Sequence, residues 1–248
     1  MIKAHKLTEL ELNNLIETAL KDENFKRIIG QLKKFKEVNE KNFKTVLPIK
    51  FNVKSEEDIL VAQSVTFDFG NEVKFTFYQV LKNNDPSTLS YKSVGTVAYE
   101  VTDEHHKIVT YKVLEDDSLI QYSKVVDKEK YVDMQAATEK DNLDLELSNE
   151  NYTPDDLDNV VDVQDITDGC ISGGYIWCGR GCSGDFNKPK YINTTDLCCY
   201  LHDSCYKRSG QKKANCSLCD AELCSCIAGE STKAKSMIEI GICFPCGW

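Results

Sequence analysis

All 12 cysteines of this 248-residue chain lie between Cys170 and Cys246, and the first 169 residues hold none. No other feature limits the fold as strongly. An even number of thiols packed so densely is the composition of a small disulfide-stapled unit, stabilised by cross-links rather than by a large apolar core. The competing reading is a zinc module, because Cys216-x2-Cys219 and Cys243-x2-Cys246 form a pair of CxxC knuckles. That reading leaves the remaining cysteines without a role.

The cysteine-free part divides by periodicity. Residues 1–44 are helical in pattern. Leu7, Leu10, Ile16 and Leu20 recur at helical spacing, Phe25, Ile28, Ile29, Leu32 and Phe35 continue an apolar face, and Gly30 is the expected weak point. From Val46 to Val132 the period shortens. FNVKS, SVTFDFG, EVKFTFYQVL, VGTVAYEVT, KIVTYKVL and LIQYSKVV read as strands, punctuated by turn signals such as Asn83-Asn84-Asp85-Pro86. Their apolar–polar alternation predicts an antiparallel sheet with one wet face. His5, His105 and His106 carry no ligand pattern and are expected at the surface.

Charge marks a third segment. Between Asp133 and Asp168 there are 12 acidic residues and one lysine, whereas residues 169–248 carry nine Lys/Arg and seven Asp/Glu. The net charge of −10 therefore belongs to the middle of the chain and is no guide to what the C-terminal part binds. The expected organisation is multidomain: an N-terminal α+β region with an antiparallel sheet over 1–132, an acidic linker over 133–168, and a small all-α disulfide-rich domain over 169–248. The linker is an accessible place for proteolysis. The Asp-rich run DDLDNVVDVQD lacks the Gly and terminal Glu of an EF-hand loop. No run approaches the ~18 apolar residues of a membrane span, and the first residues lack the continuous apolar region of a signal peptide.

Chemistry concentrates in Asp196-Leu-Cys-Cys-Tyr-Leu-His-Asp-Ser-Cys-Tyr206. Read as a helix, Cys198, His202 and Cys205 share one face, with Cys199, Asp203 and Tyr206 in the neighbouring row. Thr194, Thr195 or Asp196 is the expected cap. Upstream, the glycines of Trp177-Cys-Gly-Arg-Gly-Cys-Ser-Gly184 let a loop aim carbonyl oxygens at a hard cation. Downstream, Cys216 to Cys226 reads as a second helix, on which Asp220 can orient a histidine of a facing helix.

In this order the three pieces resemble the secreted phospholipase A2 family, over about residues 170–230. The carrier of the resemblance is Cys-Cys-x-x-His-Asp-x-Cys-Tyr at 198–206. It implies calcium-dependent hydrolysis of the sn-2 ester of glycerophospholipids at a membrane surface. His202 is then the general base and Asp220 its orienting carboxylate, with Tyr206 hydrogen-bonded to Asp220. Calcium falls to Asp203 and the carbonyls of Trp177, Gly179 and Gly181, and the Gly179 amide to the oxyanion. The implied disulfides are Cys178–Cys199, Cys198–Cys226 and Cys205–Cys219. The pairing of Cys170, Cys182, Cys216, Cys224, Cys243 and Cys246 stays open.

The N-terminal region faintly resembles bacterial precursors that release a cysteine-rich bacteriocin. That likeness implies a secreted antibacterial toxin whose N-terminal region masks the catalytic domain as a propeptide, inhibitor or immunity domain. A phospholipase-like binding module without turnover is the alternative. A nucleic-acid partner is not expected.

Overall fold

The computed structural model describes residues 4–55, 58–146, 160–162, 170–171, 174–179, 182, 184–209 and 216–247. It is mixed α/β. A short strand β1 (His5–Lys6) precedes helices α1 (Glu9–Lys21) and α2 (Glu23–Leu32). Six strands follow: β2 (Lys44–Ser55), β3 (Asp58–Asp68), β4 (Val73–Lys82), β5 (Asp85–Thr102), β6 (His105–Val113) and β7 (Leu119–Asp127). They pair antiparallel in sequence order, β1 to β7. Helix α3 (Lys128–Glu146) comes next. Strand β8 (Val160–Asp162) then adds parallel to β2 through Asn52–Val160, Val53–Val161 and Lys54–Asp162. The C-terminal part supplies α4 (Thr194–Ser209), α5 (Leu218–Cys226), α6 (Lys233–Ile238) and a π-helical turn, Glu239–Cys243.

The expected weak point at Gly30 is not where the helices part. Asp22 divides them: it ends α1 and caps α2, its carboxylate accepting the amides of Asn24 and Phe25 at 2.7 and 3.3 Å. A capping box between Thr8 and Glu11 starts α1. Leu10 is 72% exposed, off the face that buries Leu15 and Ala19.

Neither sheet face is wet along its centre. On one, Val65, Phe67, Val73, Phe75, Phe77, Val97 and Val109 pack against Phe25, Ile28, Ile29 and Leu32 of α2. On the other, Ile49, Phe51, Val53, Ala62, Tyr78 and Val94 share one core with Ile171, Trp177, Leu223, Met237, Ile240, Ile242 and Phe244 of the C-terminal part. The two sequence halves therefore meet in a common core, whereas the sequence pattern pointed to a domain on each side of a linker. Strand alternation reports which side chains share a face, but not what covers that face.

The acidic segment also departs from its expected form. Its first part, to Glu146, belongs to α3, whose Tyr131, Met134, Ala137, Thr138 and Asp141 are buried. This stripe is narrow and set among acids, so composition hid it. Residues 147–159 and 163–169 of the expected linker lie outside the described residues. His5 and His106 are buried, not surface residues. The His106 ring stacks on Tyr131 with centroids 4.4 Å apart.

Candidate functional site

The site begins with cross-links. Cys198–Cys226 and Cys205–Cys219 tie α4 to α5, with Cα–Cα distances of 5.7 and 5.8 Å. One bridge joins the start of α4 to the end of α5 and the other the reverse, so the helices run antiparallel. Cys178–Cys199 fastens the glycine loop to α4. Cys170–Cys182, Cys216–Cys246 and Cys224–Cys243 complete the set. No cysteine remains free, so no thiolate is left for the zinc-knuckle reading.

Asn193 caps α4, its side chain accepting the Asp196 amide at 2.9 Å, and neither threonine nor Asp196 takes that part. Fully buried Asp196 turns back toward the loop. Its carboxylate accepts the amides of Ile176 (3.1 Å), Trp177 (2.8 Å), Cys178 (3.3 Å) and Ile192 (3.2 Å). This organising role escaped the sequence reading. The only available signal was an acid at the start of a helix, which reads first as a cap. Trp177 is buried, donating Nε1–H to the Lys190 carbonyl at 2.6 Å and meeting Phe186 and Tyr200 edge-on, each at 4.8 Å. A Cβ on Gly184 would lie 2.6 Å from Trp177 Cζ2, so this glycine serves packing. Gly179 has φ +121°, a shape that other residues resist.

His202 sits between the two α4–α5 bridges. Its Nε2 is 2.8 Å from Asp220 Oδ1. Tyr206 donates its hydroxyl to the same oxygen at 3.0 Å and lies 2.6 Å from Ser217 Oγ. The other carboxylate oxygen accepts the Ser217 amide at 2.9 Å, because Asp220 is also the capping-box acid of α5. Burial pushes the Asp220 carboxyl up. The hydrogen bonds from His202, the Ser217 amide and Tyr206, together with the charge of the imidazole, outweigh it and hold Asp220 below the usual carboxylate range. Tyr206 is pushed up to about 12, chiefly by burial and also by the Asp220 charge, against a lowering by Ser217. An ionised Asp220 accepts a hydrogen bond from Nε2–H, which in the neutral ring leaves Nδ1 as the acceptor nitrogen. Nδ1 faces Asp203 Oδ1 at 3.9 Å, beyond hydrogen-bond reach.

His202, Asp220 and Tyr206 are thus brought together as the sequence implied. Asp203 lies one turn beyond Cys199, so the Cys178–Cys199 bridge brings the glycine loop to its face of the helix. Gly181 lies outside the described residues. Asp203 with neutral carbonyls is an oxygen-only donor set that suits calcium. The Gly179 carbonyl already accepts the Cys182 amide at 3.1 Å and keeps a second lone pair. No group of three or more His, Cys, Asp or Glu that could hold a metal occurs among the described residues. A set with a single carboxylate is not of that kind.

No family model, no curated protein and no solved structure matches this chain.

Proposed function

We propose that the C-terminal part is an all-α phospholipase A2-like hydrolase that cleaves the sn-2 ester of glycerophospholipids with calcium. The observation that carries the reading is the His202 Nε2–Asp220 Oδ1 contact at 2.8 Å, with Tyr206 on the same oxygen and both helices locked by two disulfides. Asp220 holds Nε2 of the imidazole, and Nδ1 lies on the Asp203 side, 3.9 Å from Oδ1. Nδ1 takes a proton from a water whose oxygen adds to the ester carbonyl. The adduct then breaks its bond to the glycerol oxygen, and the imidazolium returns the proton to that oxygen. Fatty acid and lysophospholipid leave. Asp203 and the carbonyls of Trp177 and Gly179 would hold calcium, with Gly181, the further expected ligand, outside the described residues, and the ion would supply Lewis-acid polarisation of the ester carbonyl. The Gly179 amide is the proposed oxyanion donor.

A lipid surface suits the outer side of α4 and α5. Leu201, Leu218 and Tyr191 are 46%, 72% and 51% exposed, and Lys188, Lys190, Lys207 and Arg208 are exposed beside them in sequence. Lys212 and Lys213 lie outside the described residues. Six disulfides support a secreted protein, and an antibacterial toxin is the proposed use.

The test is fatty-acid release from mixed phosphatidylcholine–phosphatidylglycerol vesicles. It compares the oxidised chain, intact and cut between residues 147 and 159, with calcium or chelator. Calcium-dependent release that His202→Gln abolishes is expected. Release from neither form, or release indifferent to His202→Gln, refutes the proposal.

A further inference from the structure

Residues 231–244 are buried without exception, although Ser231, Thr232, Lys233, Lys235, Ser236 and Glu239 are among them. This segment ends the chain's last helices and fills the sheet face opposite α2. A permanent core is normally apolar, since buried charge is stabilising only when partnered. Here charged and polar groups meet across the boundary from both sides. Asp141 of α3 accepts the Lys233 amide at 2.7 Å and the Tyr175 hydroxyl at 3.0 Å. Lys235 Nζ donates to the Tyr78 hydroxyl at 3.2 Å. Lys112 Nζ stands 3.8 Å above the Phe244 ring, and Lys92 approaches the same ring at 5.7 Å. Lys124 of β7 donates to the Cys226 carbonyl.

Each side also carries its own means of cohesion. The N-terminal part keeps a second core under α1 and α2. The C-terminal part keeps all six disulfides, none of which crosses to the sheet. The chain between α3 and Cys170 is therefore the sole covalent tie between them, and its strand β8 (Val160–Asp162), paired with β2, is a further non-covalent contact that goes with the C-terminal part.

We propose that the sheet face built by β2 to β7, with α3, is a separable binding surface whose partner is the disulfide-linked C-terminal part of this same chain. The occupant is the C-terminal part of its own molecule, and exchange with that of a second copy is what the test reads. Polar groups on both surfaces let each meet water once parted, as in interfaces that form and dissociate. The apolar centre, Met237, Ile240, Ile242 and Phe244 against Ile49, Phe51 and Ala62, supplies the affinity. The inference needs no catalysis and stands or falls apart from the hydrolase reading.

The test starts from the full oxidised chain with a protease recognition sequence in place of residues 150–156. Two preparations, one with a tag at its C-terminus, are cut, mixed and followed by size-exclusion chromatography and tag pull-down. The fragments are expected to co-migrate and to exchange between copies. Asp141→Asn removes a charged acceptor facing two donors, and should speed exchange or weaken binding roughly 10–100-fold. Tyr78→Phe, a milder change, should act in the same direction. Fragments that separate on cutting and do not rebind overturn the proposal. So do fragments that never exchange, or exchange that both variants leave unchanged.

Discussion

Gly229 is where the C-terminal part turns toward the sheet, and it offers a sharp perturbation of that contact. Its φ is +83°, and a Cβ there would lie 2.6 Å from Ile108 Cγ2 and 3.2 Å from Ile108 Cδ1 on β6. Gly229→Ala therefore meets two penalties. The left-handed backbone costs a residue with a side chain about 1–2 kcal/mol. The contact with Ile108, itself 2% exposed, is an overpacking of about 1–3 kcal/mol. Together they give about 2–5 kcal/mol. Ile108→Ala alone should cost about 2–4 kcal/mol through its cavity. The double variant should cost less than the sum, because truncating Ile108 removes the clash and leaves the backbone term. Urea unfolding of the four proteins with disulfides intact, followed by Trp177 fluorescence and by circular dichroism, measures the cycle. Strict additivity, or a Gly229→Ala cost below about 1 kcal/mol, would refute the close approach of this turn to β6.

Further outcomes follow from the same geometry. Gly184→Ala should displace the Trp177 ring, red-shift its emission and cost about 1–3 kcal/mol in the same denaturation assay. Asp220, held below the usual carboxylate range, contributes stability that is present above its unfolded pKa and lost as pH falls through its folded one. Asp220→Asn should cost about 1–3 kcal/mol at pH 7 and weaken the acid limb of the stability–pH curve, besides slowing any ester hydrolysis. Glu230 is fully buried and, among the described residues, neither of its oxygens has a hydrogen-bond partner. Burial raises its carboxyl to about 7, against lowering by Lys124, Lys130, Lys74 and Lys235. A raised carboxyl contributes stability that is full below its unfolded pKa and lost as pH rises through the folded one. The chain should therefore lose up to about 3 kcal/mol more than Glu230→Gln between pH 4 and 8. Equal pH slopes for the two proteins would contradict this burial.

Much of the candidate site was legible because it is local. Cys198, His202 and Cys205 share a helix face through spacing alone, and Asp220 sits beside a cysteine on the next helix. Cross-linking two such helices leaves few ways to arrange them, so the His202–Asp220 contact and three disulfides are where the motif implied. The strands were legible for a similar reason: period-two patterning is written residue by residue. Asp22 between α1 and α2 was overlooked because a cap is a choice among several polar residues, made by the chain's path.

The sequence by itself determined the main strands, the helical segments around α1, α2, α4 and α5, where the disulfides concentrate and which side chains can meet His202, but not helix α3, which its acidic composition hid. Only the tertiary structure decided what the sheet covers. The run from Ser231 to Phe244 sets lysines, hydroxyls and a glutamate among apolar residues, and the sheet buries the polar ones with the rest. Partners such as Asp141, Tyr78 and Lys112 lie far away along the chain, and no local pattern encodes contacts of that range. Asp196 follows the same logic: its charge is fitted to four amides that only the folded loop brings together.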